Sequence, residues 1–393
     1  MSDTFLKSES ISKEQIVDIL LAHALNRRAS DIHIEPEPDC LRIRYRVDGL
    51  LQDIIKVPKS DQNSVLTRIK IISGLDLTEN RIPQDGKFKV KAAGRQVEFR
   101  VSSLPTTFGL KFVLHALDMG NFLKHQEEMG FSETLPAILK AVALKPFGMI
   151  LISGPAGSGK STTLYSILNQ LNTAQRNIIT IEDPIEYQIK GITQVQVKPD
   201  SGLDFSSCLR SVLRDNPDVV MISQLRDSET ADIAVKAALC GQLILSSLQA
   251  NDVISSIIRL IEMGVEPCLV ASSLVMVCVQ HLARKTCSEC RKPIEISKAF
   301  LEKVKFSSKA KFYTGQGCKH CNYTGFSGRV AVLETLLIDN EIRDIIISRK
   351  PAHEIKRYAV KYMGMKTLRD NAYLKVKEGL ISLDEAVRVA QEE

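Results

Sequence analysis

An α/β domain on a mostly parallel sheet, preceded by an α+β domain, is the fold class this sequence predicts, on three observations. Residues Gly154–Ser161 read GPAGSGKS, a complete G-x-x-x-x-G-K-[ST] loop between an apolar run, MILIS at 149–153, and a helically spaced TTLYSILNQL. Between 146 and 283, apolar runs (MILIS, NIITIED, VVMIS, LILSSL) alternate with helical stretches, as parallel strands do when helices join them. Upstream, LRIRYRV at 41–47 alternates strictly, the period of a half-buried strand.

In chain order, EQIVDILLAHALNRRA at 13–28 has helical spacing and reads as a first helix. In the strand at 41–47, Leu41, Ile43, Tyr45 and Val47 share one face, and Arg42, Arg44 and Arg46 the other, which taken alone is a solvated face. KFKVK and RQVEFRV, joined across AAG, form a hairpin, and LKFVLHAL adds a strand, so 1–118 reads as an α+β domain. A helical linker is expected at 119–143 and the core of the α/β domain at 144–283. A cysteine-bearing module follows at 284–333, and then a helical region at 334–393. In that last region SLDEAVRVAQEE offers Ser382 as an N-cap and Glu385 as its capping-box partner.

With 393 residues, 44% hydrophobic and 25% charged, the chain has the composition of a soluble globular protein of two or three domains, not a disordered or fibrous one. A net charge of +6 is mild and interleaved, and demands neither nucleic acid nor anionic lipid as a partner. MSDTFLKSESISKEQ lacks the apolar core of a signal peptide, and the most apolar segment, LVASSLVMVCVQHLA at 269–283, is too short to span a bilayer. No transmembrane segment is therefore expected, and the expected location is cytoplasmic.

The loop at 154–161 carries the chemistry. Its glycines let backbone N–H groups turn inward around phosphate oxygens, and the helix N-terminus adds positive potential. Gly154, Pro155, Ala156, Gly157, Ser158, Gly159, Lys160, Ser161 and Thr162 are the expected nucleotide contacts. Lys160 is placed to reach the β- and γ-phosphates, and the Ser161 hydroxyl to ligate Mg²⁺. ATP and Mg²⁺ are the implied cofactors.

Nine cysteines, an odd number with no secretory signal, argue against a disulfide framework. Cys40, Cys208, Cys240, Cys268 and Cys278 are scattered and read as small core residues. Cys287-x-x-Cys290 and Cys318-x-x-Cys321, with 27 residues between the pairs, are organised. Two such turns present four thiolates to a structural Zn²⁺, with no position left for water. His320 reads as an exposed neighbour and not as a ligand.

An ordered series of segments resembles the ATPases that drive type II secretion and type IV pilus assembly, over residues about 13 to 385. RASDIHIEPEPDCLRIRYRVDGLL at 28–51, RIPQDGKFKV at 81–90 and RVSSLPTTFGLKFVLHALD at 100–118 are similar to the family's N-terminal domain. TIEDPIEY at 180–187 resembles its aspartate box, with GITQVQV at 191–197 following. LRDNPDVVMISQLRDSETADIAVKAAL at 213–239 resembles the Walker B region, and GQLILSSLQAND at 241–252 the histidine box. The resemblance implies a PAS-like N-terminal domain, a RecA-like core and a tetracysteine zinc module. It also implies a homo- or hetero-hexamer that binds ATP between N- and C-terminal domains and is held at the inner membrane through a platform protein. Glu182, Asp183 and Glu186 would handle Mg²⁺ and the attacking water, and Arg100 the nucleotide phosphates. The extra N-terminal docking domain of many members has no counterpart in the dozen residues before the first shared helix.

The catalytic positions depart from that pattern. The family's Walker B segment ends in Gly-Glu, where this chain has Ser223 and Gln224. Its two box histidines are Gln242 and Gln249, and an N-terminal Gly-Glu with a following arginine becomes Gly109-Leu110 and His115. Glutamine is no general base, yet it orients water in small GTPases. The resemblance thus implies an ATP-binding ring subunit with weakened hydrolysis. Its rivals are a fully active motor and a non-hydrolysing structural or regulatory partner of an active paralogue. A nucleic-acid translocase is disfavoured, because no basic-aromatic segment stands out.

Overall fold

Residues 13–92, 95–117, 147–306 and 310–390 are described in the computed structural model, and the linker expected at 119–143 lies outside them. The chain divides into two units, 1–123 and 124–393.

The first unit contains helix α1 (Lys13–Asn26), strands β1 (Ala29–Pro36), β2 (Cys40–Val47) and β3 (Leu50–Pro58), helix α2 (Gln62–Ser73), and strands β4 (Gln84–Ala92), β5 (Arg95–Thr106) and β6 (Gly109–Leu117). All six strands pair antiparallel in the order β3-β2-β1-β6-β5-β4. The alternation at 41–47 is observed: Leu41, Ile43 and Tyr45 are fully buried against α1, and the Tyr45 hydroxyl donates to the Leu20 carbonyl at 2.8 Å. The arginine row is more than a solvated face. Arg42 pairs with Asp53 at 2.5 Å, Arg44 with Glu35 at 2.7 Å and Arg46 with Asp31 at 3.2 Å, a ladder of cross-strand ion pairs. Burial would raise the Glu35 carboxyl, but hydrogen bonds and charges from Arg44 and Lys111 bring it down to about 2.

The second unit starts with strand β7 (Gly148–Ser153) and helix α3 (Lys160–Leu171), followed by β8 (Ile178–Glu182), β9 (Thr193–Gln196), α4 (Phe205–Val212), β10 (Val219–Ile222), α5 (Ser228–Leu239) and β11 (Leu243–Leu248). Helices α6 (Val253–Glu262) and α7 (Pro267–Ser273) lead into a long strand, β12 (Leu274–Thr286). The most apolar sequence segment is thus a short helix running into a buried strand. A ribbon of β13 (Arg291–Ile294) and β14 (Phe312–Gly315), with α8 (Lys298–Lys303) between them, precedes β15 (Phe326–Leu337) and helices α9 (Asn340–Ile347), α10 (Ala352–Lys361), α11 (Leu368–Lys377) and α12 (Leu383–Ala390).

The main sheet has the order β15-β12-β7-β11-β10-β8-β9 and is parallel except for β15, which pairs antiparallel with β12. Helix α3 covers one face, packing Leu164, Ile167 and Leu168 on Ile150 and Ile152. Helices α4 to α7 and the C-terminal helices cover the other, around Leu151, Ile181 and Ile222. The ribbon enters the same core through Phe306 and Phe312. Ser382 does cap α12, accepting from the Glu385 N–H at 3.3 Å, but the Glu385 carboxylate turns to Arg284 and Arg388 instead of closing a capping box. Among the described residues no helix is long and apolar enough to cross a membrane.

Candidate nucleotide and metal sites

Strand β7 ends at Ser153, and the chain turns through 154–159 before α3 begins at Lys160. Gly154 has φ +142°, and a Cβ there would lie 2.3 Å from the Gln280 carbonyl of β12, so only glycine fits. Gly159, with φ +86°, is the N-cap of α3 and frees the N–H groups of its first turn. Lys160 Nζ donates to the Gly154 and Pro155 carbonyls, each at 2.8 Å, and burial lowers the pKa of its ammonium. The Ser158 side chain is buried, and its Oγ has no partner. A cradle of positive-φ glycines, a half-buried ammonium and an unpartnered hydroxyl fits a phosphate group.

Ser161 Oγ donates to Glu186 Oε1 at 2.9 Å, so two hard oxygen donors for Mg²⁺ stand together at the head of α3. Thr162 lies in the same turn, its carbonyl accepting from Ser166 at 2.6 Å. Glu182 is in different surroundings. It is 1% exposed, and its carboxylate accepts from Thr180 at 2.6 Å, from Gln194 at 3.0 Å and from the Tyr165 hydroxyl. That hydroxyl in turn accepts from the N–H groups of Glu186 and Tyr187, at 3.3 and 3.4 Å. Burial, reinforced by Glu182, pushes the Tyr165 phenol pKa well up, so it stays a donor. Glu182 therefore reaches the loop through Tyr165 and the backbone at 186. Asp183 pairs with Arg226 at 2.8 Å, and Arg226 also donates to Gln224 Oε1 at 3.3 Å.

The four organised cysteines converge. The Sγ atoms of Cys287, Cys290, Cys318 and Cys321 lie within 4.8 Å of one another. The 287–318, 290–321 and 318–321 separations are 3.9, 3.8 and 3.7 Å. A tetrahedron with Zn–S bonds of about 2.3 Å has edges of about 3.8 Å, so the donor set fits zinc. Backbone N–H groups of Cys318 and Gly325 point at Cys321 Sγ, at 3.2 and 3.3 Å. Burial would raise the Cys321 thiol, but these N–H groups and hydrogen bonds from Cys318 and Cys290 lower its pKa, whereas burial pushes Cys287 up to about 12 and raises Cys290. His320 is exposed, beside Ser327, and outside the cluster.

A family profile described as "Type II/IV secretion system protein" matches residues 7–388. This chain belongs to that family. It is 41% identical over 380 residues to the type IV pilus assembly ATPase PilB of Myxococcus xanthus, covering 95% of this chain and 67% of that protein. It is 40% identical over 381 residues to the type II secretion system protein E of Dickeya dadantii, covering 96% and 76%. Against PilB of Thermus thermophilus, 40% identical, the match covers 97% of this chain but only 43% of the relative. Among solved structures, the Legionella pneumophila ATPase DotB has the same fold, with TM-score 0.72, 20% identity and coverage of 99% and 98%. The pilus retraction motor PilT with bound ADP superposes with TM-score 0.63 at 26% identity, covering 95% and 96%.

Within this secretion-family fold the departing positions do not share one location. Ser223 and Gln224 follow β10, and Gln249 follows β11, at the sheet edge where β7 gives way to the phosphate loop. Gln242 does not. It precedes β11, whose Leu243 pairs with Gly148 and Leu248 with Ser153, so it sits at the opposite sheet edge. Six residues of parallel strand, about 20 Å, separate it from the loop, so of the two box positions only Gln249 lies at the loop's end of the sheet in this chain. In the first unit, Leu110 is buried on the core face with Phe112 and Leu114. Arg100 and His115 are direct cross-strand partners on β5 and β6, half-buried and exposed, and His115 Nδ1 lies 2.7 Å from Asp31. Sequence reasoning missed Tyr165, Gln194, Arg226 and Gln280. Only Gln280 left a signal, as a polar residue inside the apolar run VMVCVQHLA.

Proposed function

We propose that this chain is an ATP-binding subunit of a six-membered ring, homomeric or mixed, in a type II secretion or type IV pilus assembly motor. Nucleotide-driven domain closure is coupled to an inner-membrane platform protein, and hydrolysis is weakened. The observation that carries this reading is a complete phosphate loop beside an incomplete catalytic set. Lys160 lies half-buried over the loop and Ser161 touches Glu186, while the position after Ser223 holds an amide. Gly154 to Thr162 would hold the phosphates, and Ser161, Glu186 and Asp183 would hold Mg²⁺, which would supply charge neutralisation there. Gln224 orients water without accepting a proton, and Glu182 positions Glu186 through Tyr165. Arg100 contributes positive charge to the phosphates. Cys287, Cys290, Cys318 and Cys321 hold a structural Zn²⁺. The protein works on the cytoplasmic side of the inner membrane, attached through partners.

A fully active motor is the second reading. It is favoured by Glu186, a carboxylate in direct contact with the Mg²⁺-ligating hydroxyl and able to polarise water unaided. The test is steady-state phosphate release by zinc-loaded protein, with Lys160→Ala and Gln224→Glu beside it and ATP binding measured on the same samples. Tight binding with little turnover, raised by Gln224→Glu, is the expected result. Brisk wild-type turnover lost only in Lys160→Ala would make the chain an active motor.

A further inference from the structure

Gln280 belongs to β12, not to the phosphate loop, yet it holds the loop at three points. Its side chain is completely buried. Its Nε2 donates to the Ser158 carbonyl at 2.7 Å, and its Oε1 accepts from Thr163 Oγ1, also fully buried, at 2.6 Å. Its backbone carbonyl lies where a Cβ on Gly154 would sit, so the loop's first residue packs directly on it. One side chain thus spans the loop from its middle to the first turn of α3, and its own backbone sets where the loop begins.

The direction of the middle contact has a chemical consequence. A trans peptide is planar, with its C=O and N–H on opposite sides. When the Ser158 carbonyl turns outward to an amide donor on β12, the N–H of Gly159 turns the other way, toward the concavity over which Lys160 lies. We propose that Gln280 is a positioning residue that holds the Ser158–Gly159 peptide with its N–H aimed at a bound phosphate. An amide suits this task, because it donates to the carbonyl and accepts from the Thr163 hydroxyl at once. A carboxylate has no donor for Ser158 and repels its oxygen. An apolar side chain of similar length fills the space but leaves the peptide unanchored.

The proposal rests on the reading of residues 154–162 as a nucleotide site, and its test separates the two. Affinities for ADP and AMP are measured by calorimetry with Mg²⁺ on the full chain, as wild type, Gln280→Glu and Gln280→Met, each checked for its circular dichroism spectrum. The ratio of the two affinities reports what the loop gives to the β-phosphate, and general loosening of the protein does not change it selectively. The expected result is a wild-type preference for ADP that falls at least about tenfold in Gln280→Glu, as the loss of about one charge-assisted hydrogen bond implies. Gln280→Met should fall with it, and carries the test alone if Gln280→Glu does not fold. Thr163→Val, which frees the Oε1 end and removes the longer 3.3 Å contact of the hydroxyl with the Gly159 carbonyl but leaves the Ser158 anchor, should lose less. A wild-type preference retained in full by folded variants overturns the proposal and leaves the nucleotide reading standing. A wild-type chain that does not distinguish ADP from AMP overturns the nucleotide reading, and the proposal with it.

Discussion

Arg226 reaches both Asp183 and Gln224, so the amide at 224 remains tied to the acidic segment beside Ser161. The clearest loss of charge is elsewhere, at His115, where the family pattern has an arginine. An imidazole carries charge only when protonated, whereas a guanidinium is charged throughout the working range. Asp31 faces His115 at 2.7 Å. Burial would raise the Asp31 carboxyl, but hydrogen bonds from His115 and Ser30 and the charges of His115 and Arg46 lower its pKa. The substitution His115→Arg should therefore raise phosphate release, because it puts a permanent cation at this position. Where such a cation limits the rate it is worth up to about 10³-fold or more. Steady-state phosphate release by both proteins checks this, and equal rates would remove His115 from the catalytic account.

Single elements carry more than one task, and β12 shows it best. Beyond Gln280, its Arg284 stacks on Phe326 at 4.2 Å and pairs at 2.6 Å with Glu385 of α12, which is 1% exposed and also bound by Arg388 at 2.7 Å. Burial would raise the Glu385 carboxyl, but Arg284 and Arg388 draw it from 4.5 down to about 2. A depressed carboxylate stabilises the fold fully above its unfolded value and ceases to as the pH falls through its folded one. The contribution of Glu385 is thus complete above about 4.5 and fades toward pH 2. Glu385→Ala leaves two arginines facing an empty site and should cost about 3 kcal/mol or more at neutral pH, read by denaturant unfolding. The Arg388 pairing has legible i,i+3 spacing, but the pairing with Arg284 was not legible in the sequence. Ser382 and Glu385 have capping-box spacing, and only tertiary contact with a strand 101 residues away decides where the carboxylate goes.

At the scale of the molecule, the phosphate loop, the strand-and-helix alternation and the cysteine turns were legible because each is written in local spacing. The limits of the domains were not. A boundary at 283/284 falls inside β12, which runs to Thr286, and one at 333/334 falls inside β15. The cysteine module is an excursion between two neighbouring strands of the main sheet, and strand pairing over forty or more residues leaves no local mark. The same arrangement predicts how the protein melts. The ribbon's Phe312 packs in the core shared with the C-terminal helices, while the first unit has its own core. Chelation of zinc should lower the melting transition of residues 124–393 and leave that of 1–123 in place, as seen by calorimetry with and without chelator. A first-unit transition that moves equally would show that the two do not melt independently.

Strand β12 also acts as a ruler. Gln280 and Arg284 lie on β12, which ends at Thr286, one residue before Cys287. Side chains alternate along the strand as far as Arg284, where the pairing with β15 becomes irregular, so one residue gained or lost between 280 and 284 turns the side chains after it to the opposite face. The lineage of this protein can lengthen or trim its surface turns by small steps. Between Gln280 and Arg284 a single codon inserted or deleted would disturb the phosphate loop's anchor and the clasp on Glu385 together.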